Sequence, residues 1–269
     1  MEDVLRVYEQ QAQPQQAQPQ QAQPQVFNEQ ASNEQAPLSP TPQQQSSAVV
    51  EPAASQPAAS QPAASQPAVV RLCFDERPCQ LLDEVLAPLP LKKGKPLRQD
   101  YEYERKGTAC VLLAYDLDKG QRYVQVRERR TKKDYAEFMD WLVREHYPKA
   151  QKIHLVQDNL NTHSMSSFYE HLPLERAGEL AQKMQFHFTP KHGSWLNMAE
   201  IEFSALARQC LDRRIKDIHT LQREVRAWSQ QRNEDAVKIH WSFTVKTARV
   251  TLASKYQKVN PDNTEIPNN

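Results

Sequence analysis

The spacing of apolar residues changes several times along this chain, and each change predicts an element. AVVRLCF (68–74) is a β-branched run that reads as a strand ending at Asp75 and Glu76. The next thirty or so residues, RPCQLLDEVLAPLPLKKGKPLRQDYEYERKG, are charged and punctuated by proline, and read as a partly ordered loop. TACVLLAYD (108–116) and QRYVQVRER (121–129) are two further strands, and the turn LDKG between them predicts a hairpin. In KKDYAEFMDWLVREHY (132–147) the apolar residues Tyr135, Phe138, Trp141 or Leu142 and Tyr147 recur at helical spacing, and Pro148 follows the end. KIHLVQD (152–158) is a strand bounded by the polar NLNTHS, 165–183 is helical with a break near Pro173, and QFHFT (185–189) is a fifth strand. Helices are predicted over 195–214, 219–233 and about 244–256. The order β-β-β-α-β-α-β-α implies an α/β layer with a mixed sheet and a helical C-terminal tail.

Composition divides the chain. Residues 1–68 hold ten of the nineteen prolines and six acids against the single base Arg6, a net of −5, so the remainder carries +6 of the whole-chain +1. That sign suits an anionic partner. Three copies of QQAQP fill 10–24, NEQA recurs at 28 and 33, and three copies of AASQP fill 53–67. Gln, Ala, Ser and Pro offer little to bury, so 9–67 is expected to be a disordered spacer, with a Pro/Gln recognition arm as the alternative. Cys73, Cys79, Cys110 and Cys210 form no Cys-x-x-Cys pair, which speaks against a zinc ribbon and a disulfide framework. No apolar run approaches the roughly 20 residues of a membrane helix, so a soluble intracellular chain without a membrane partner is expected.

Three carboxylates stand out. Asp75 and Asp158 each end a predicted strand, and functional groups of open α/β sheets gather at such ends. The ordinary alternative for either is an Asp that starts a turn or caps a helix. In KHGSWLNMAEIE (191–202), a projection at about 100° per residue places Phe203, Ala207 and Cys210 within about 40° of Leu196, and Glu200 falls on that apolar stripe. Glu202 sits about 120° from Leu196, as a flank residue. A salt bridge to an arginine is the competing account of Glu200. Three such acids suit hard cations such as magnesium, two of which serve phosphodiester chemistry by activating the attacking oxygen and stabilising the leaving one. Histidines 154, 163, 187 and 192 make no His-x-x-x-His pair, and the five glycines form no phosphate loop.

LCFDE, LVQDNLNTH and FHFTPKHGSWLNMAEIE together resemble the catalytic core of bacterial insertion-sequence transposases of the mariner superfamily, DDE endonucleases. The resemblance covers about 69–256. It implies a ribonuclease H-like (retroviral integrase-like) mixed sheet flanked by helices, with Asp75, Asp158 and Glu200 as catalytic, metal-binding acids, the last matching the family's Asn-x-x-Glu at Asn197 to Glu200. It further implies magnesium or manganese, as two ions, cleavage of DNA at transposon ends, and attack of the freed 3′ hydroxyl on target DNA.

Asn159, Asn161 and His163 match the polar segment after the second Asp and would orient it or approach DNA, with Asn197 as a further supporting residue; a plain hydrogen-bonded loop is the alternative. Lys191, His192, Ser194 and Trp195 would shape a rim for a DNA end, Trp195 having an ordinary core reading as well. Arg129 and Arg130 in RERRTKK, and RQCLDRR (208–214), would neutralise phosphates unless they form a solvated face. The expected organisation is a linker remnant at 1–8 that would join the core to a helix-turn-helix region, repeats at 9–67, a catalytic domain at 68–256 and a disordered tail at 257–269. Expected partners are DNA, a separate helix-turn-helix polypeptide and further copies of this chain on DNA, in a bacterial cytoplasm at the nucleoid. The rival functions are a truncated, non-catalytic transposase that binds DNA or a full-length copy, and a host nuclease of ribonuclease H-like fold.

Overall fold

The computed structural model describes residues 1–10, 68–96, 98 and 100–259. The repeats at 11–67 and residues 260–269, both expected to be disordered, lie outside the described residues. Strands β1 (Val69–Glu84), β2 (Tyr103–Asp116) and β3 (Arg122–Arg127) form an antiparallel meander, and β4 (Lys152–Gln157) and β5 (Met184–Phe188) extend it in parallel from the other side of β1. The sheet order is β3-β2-β1-β4-β5. Parallel neighbours need long crossovers. Helix α2 (Lys132–His146) lies in the connection before β4, while α3 (Met165–His171) and α4 (Leu174–Lys183) lie between β4 and β5. The mixed sheet flanked by helices is therefore present.

Alternation along the central strands sorts side chains onto two faces. Val70, Leu72, Phe74, Leu112 and Leu155 pack with α2, α3 and α4, where Tyr135, Phe138, Leu142 and Phe168 are fully buried. Cys73, Leu113, Tyr115 and Val156 face the other layer, built by helices α1 (Glu2–Glu9), α5 (Met198–Gln209) and α6 (Ile218–Glu234). Helix α2 starts where it does because Thr131 and Asp134 form a reciprocal capping box. Helices α7 (Val245–Thr251) and α8 (Ala253–Val259) end the described chain, so α8 takes in residues 257–259, expected to be tail.

Two sequence readings are corrected. Strand β1 does not end at Asp75; it continues to Glu84, paired antiparallel with β2 back to Tyr103, so both ends of the expected loop, 77–84 and 103–107, belong to a two-stranded ribbon. Pro78 is tolerated because the pairing of β1 with β4 stops at Cys73 and Val156, leaving β1 with one neighbour and a free edge that needs no N–H from proline. Helix α6 is part of the main layer rather than a tail, with Leu221, Val225 and Trp228 buried against β3 and α5.

Residues 1–8, read from sequence as a linker segment, lie in helix α1, whose Val4, Leu5 and Val7 are buried. Its polar side is tied down as well. The Tyr8 hydroxyl donates to the Leu196 carbonyl at 2.6 Å, Asp3 Oδ2 lies 2.7 Å from His187 Nδ1 on β5, and Arg249 of α7 grips Glu2 with two bonds of 2.7 and 2.8 Å. Arg71 Nη1 donates to the Val7 carbonyl at 2.8 Å. Helix α1 thus closes one face of the sheet. Leu5→Ala is expected to cost about 2–5 kcal/mol. Denaturant unfolding of the full chain would show it as a lower midpoint with an unchanged slope, and an unchanged midpoint would mean that α1 contributes nothing to the core.

Candidate active site

The sheet register brings the first two acids together. Cys73 of β1 pairs with Val156 of β4. Two residues further along both chains, in step and on the same face by alternation, come Asp75 and Asp158. Asp75 is mid-strand and almost fully buried, while Asp158 lies just past the end of β4 and is half-buried.

The third acid arrives through Asn197. A short 3-10 turn, Ser194–Leu196, precedes α5, and Asn197 is its N-cap, with its side-chain oxygen accepting from the Ala199 amide at 3.1 Å. The same carboxamide donates to the Phe74 carbonyl at 2.8 Å and to Asp75 Oδ2 at 3.2 Å. The first turn of α5 is thereby pinned to β1 beside Asp75, and Glu200 lies in that turn. An acid there is favoured by the helix dipole.

The projection that chose Glu200 as the core-facing acid is wrong in its geometry. Asn197 is extended, so the helix begins at Met198 and the angle counted from Leu196 does not carry into it. The buried stripe is Met198, Ala199, Glu202, Phe203, Ala205 and Leu206, and Glu200 stands beside it, half-buried. Glu202 is the acid in the core, fully buried, and it cannot face DNA. The salt bridge weighed for Glu200 belongs to Glu202. Arg122 Nε and Nη2 donate to its two oxygens at 2.6 and 2.8 Å, and Arg232 adds two bonds of 3.2 Å. Arg122 spends its remaining donors on the carbonyls of Gly120 and Val237. The cluster is satisfied, as a buried charge must be.

The acids feel one another. Burial raises the Asp75 carboxyl to about 7, and the charges of Glu200 and Asp158 push the same way, against the Glu76 amide bonded to its Oδ1. Asp158 is held low, chiefly by its hydrogen bond to His163, whose Nδ1 lies 2.6 Å from Oδ1. Burial alone would depress His163, but its contacts with Asp158 and Glu76 win and lift it to about 9. Among the described residues no three His, Cys, Asp or Glu side chains converge closely enough to hold a metal ion. The donor set nevertheless suits a hard divalent cation: three carboxylates, one of them protonated near neutrality by burial and by its like-charged neighbours. A cleft of about 570 Å³ between α5 and α6, lined by Gln209, Arg213, Glu224 and Trp228 among others, contains none of these acids.

A family model described as DDE superfamily endonuclease matches residues 70–222, more than half of the chain and all three acids. The chain belongs to the DDE superfamily endonucleases. No curated protein matches the sequence. Among solved structures, the Mos1 mariner paired end complex with Mn is similar at 12% identity with a TM-score of 0.43, over 73% of this chain and 56% of that one. The catalytic domain of Mos1 mariner transposase matches at 12% identity and a TM-score of 0.41, over 60% of this chain and 69% of that one. A simian T-cell lymphotropic virus intasome in complex with PP2A regulatory subunit B56 gamma matches at 10% identity and a TM-score of 0.27, over 52% of this chain and 42% of that one. The endonuclease spans about half the length of the first of these chains.

The residues expected to form a rim are exposed. Lys191, His192, Ser194 and Trp195 lie in the turn before α5. His192 has a φ of 61°, and a Cβ at Gly193 would come within 2.6 Å of Pro190 Cγ, so the turn requires glycine there. Trp195 is not core; it is 49% exposed and meets the Phe243 ring edge-on at 5.4 Å. Arg129 and Arg130 are exposed between β3 and α2, whereas Arg213 pairs with Glu224 and Arg214 binds Glu84 and the carbonyls of Asp100 and Glu102. Of the residues after Asp158, Asn159 and Asn161 face solvent and His163 alone is buried.

Sequence reasoning overlooked Glu76 and Arg122. Glu76 follows Asp75 in an alternating strand, so an acid on the opposite face was there to be noticed. Arg122 carried no signal, since Gln125 and Arg127 share its strand and nothing local marks Arg122 as the buried one.

Glu202→Ala is expected to cost about 3–5 kcal/mol in denaturant unfolding by leaving buried arginine charge unpaired, while Glu200→Gln stays within about 0.5 kcal/mol of the parent. Equal costs would reject the division between the two acids. Asp75 supplies a second test. Its native carboxyl, near 7, keeps a proton that the unfolded chain releases near 3.8, so stability falls as pH climbs through that window. Asp75→Asn should match the parent at pH 4 and exceed it by roughly 2–4 kcal/mol at pH 8, in chelator. A gain independent of pH would show that Asp75 is not held protonated.

Proposed function

We propose that this chain is the catalytic part of a mariner-type DNA transposase, with Asp75, Asp158 and Glu200 as the acids that hold magnesium or manganese. The observation that carries the reading is the approach of three carboxylates, from β1, from the segment just after β4 and from the first turn of α5, near enough for two of them to raise the pKa of the third. Bound there, divalent ions would supply charge neutralisation at the attacking and leaving oxygens of a phosphodiester. The chain's own residues do the positioning: Asn197 holds Asp75 beside the start of α5, and His163 holds Asp158. Reaction is cleavage at transposon ends followed by transfer of the 3′ end to target DNA, the substrate lying along Lys191, His192, Ser194 and Trp195 on one side and Arg129 and Arg130 on the other. A separate helix-turn-helix polypeptide and further copies of the chain complete the assembly on DNA.

The test is cleavage of a duplex carrying the ends of the DNA element that encodes the chain, with magnesium or manganese, and joining of the product to a plasmid. Asp75→Asn, Asp158→Asn and Glu200→Gln are each expected to lose more than about 10²-fold in rate, beyond what loss of an outer contact to a metal ligand typically costs, with unchanged circular dichroism. Metal-dependent cutting retained by Asp158→Asn would overturn the site. A parent protein that binds these ends but cuts only when a full-length transposase is added would instead be the non-catalytic remnant. Cutting without regard to terminal repeats would mark a host nuclease.

A further inference from the structure

Glu76 is the least explained charge in the molecule. Its side chain is 3% exposed, on the sheet face opposite Asp75, and Oε1 is buried without a hydrogen-bond partner. Arg130 Nη1 comes no closer than 3.8 Å and is itself half-exposed, so that pair contributes little. A buried carboxylate with an unpaired oxygen costs free energy, and such a group in a folded protein requires a reason.

The other oxygen supplies one. Glu76 Oε2 lies 3.4 Å from His163 Nε2, and the opposite ring nitrogen, Nδ1, lies 2.6 Å from Asp158 Oδ1. The imidazole therefore spans two carboxylates on adjacent chain segments. It has no freedom to swing away. Its ring is held between Phe74 (centroids 5.2 Å apart) and Tyr135 (5.0 Å), its amide donates to the Leu160 carbonyl, and its carbonyl accepts from Gln157 Nε2. Gln157 is itself fixed by the Tyr135 hydroxyl at 2.9 Å. Those contacts fix the plane of the ring; among the described residues only Glu76 meets the nitrogen that faces away from Asp158. Through that contact Glu76 sets which way Nδ1 points.

We infer that Glu76 is a positioning residue, which through His163 fixes the carboxylate of Asp158 in the orientation that receives the divalent cation. The inference rests on the reading of Asp75, Asp158 and Glu200 as the metal-binding acids. It follows the general rule that carboxylate ligands are oriented by hydrogen-bonded partners behind them, whose loss weakens metal binding about 10–100-fold.

The experiment measures binding of Mn²⁺ to the full chain, from the paramagnetic resonance signal of the free ion, for the parent, Glu76→Gln, His163→Asn, the double variant and Asp158→Asn. Glu76→Gln is expected to weaken Mn²⁺ about 10-fold or more. His163→Asn keeps a donor nitrogen near the place of Nδ1 but cannot reach Glu76, so adding Glu76→Gln to it should produce no further loss. A purely structural Glu76 would give losses that multiply in the double variant, and that result would overturn the inference, as would parental Mn²⁺ affinity in Glu76→Gln. If Asp158→Asn binds Mn²⁺ like the parent, the site itself is wrong and the inference falls with it; if Asp158→Asn loses Mn²⁺ while Glu76→Gln does not, only the inference fails. Should Glu76→Gln not fold, His163→Gln replaces it. It puts a nitrogen near Nε2 instead of Nδ1 and should bind Mn²⁺ more weakly than His163→Asn, and the reverse order would overturn the inference.

Discussion

One carboxamide holds the candidate site together. Asn197 caps α5 with its oxygen and, with its nitrogen, binds the Phe74 carbonyl and the Asp75 carboxylate on the central strand. Both donors and the oxygen are bonded in a buried place, where an unpaired amide would cost on the order of 1–3 kcal/mol. The consequence is geometric. A helix end has no intrinsic reason to sit beside a particular residue of a sheet, and this contact supplies one. From it follow the place of Glu200 and the separation of that acid from Asp75. The turn before it is secured from the other side by the Tyr8 hydroxyl on the Leu196 carbonyl, so helix α1 reaches the residue next to Asn197 through one bond.

Charge is managed differently at the two acids of α5. Glu202 is surrounded by donors on every side and its burial is compensated by Arg122 and Arg232, which tie α5 to β3 and α6. Glu200, two residues earlier, stands outside the buried stripe, and its charge adds to the pressure that keeps a proton on Asp75 near neutrality. Two residues on a helix turn about 200°, so one side chain can be committed to the core while its near neighbour is left for chemistry. The ion cluster makes the rotation of α5 about its axis a fixed quantity.

Much of this was legible from residue patterns, and the failures have identifiable causes. Strands β2 to β5 and helix α2 follow from apolar spacing: β2 and β4 bury both faces, so their apolar runs are continuous, while α2 buries one. The continuation of β1 past Asp75 was hidden by Pro78 and by charges, because only Cys79 and Leu81 carry its apolar alternation, interleaved with exposed Pro78 and Gln80. Glu200 emerged from a projection that assumed a helix from Leu196 onward. The extended N-cap at Asn197 breaks that count, and the acid truly on the stripe is Glu202. The Asn-x-x-Glu pattern indicated Glu200 for a sounder reason, since an N-cap asparagine with an acid three residues on puts that acid in the first turn. Pairings such as Glu76 with His163, 87 residues apart, are set by tertiary geometry and leave no local spacing to detect.

The two faces of β1 near Asp75 therefore do different work at adjacent positions. Asp75 points into the layer of α5, and Glu76 points into the layer of α2, where His163 carries its influence around the end of β4 to Asp158. The shortness of β4 is what permits this. Because β4 stops at Gln157, the chain after it can curl back so that a histidine five residues beyond Asp158 reaches both that acid and the far face of the neighbouring strand. A longer β4 would have continued the ladder with β1, carried Asp158 into a paired strand like Asp75, and closed the gap through which the imidazole passes. The early end of one strand thus separates a rigid acid, Asp75, from one whose orientation is set by its hydrogen-bond partners, Asp158.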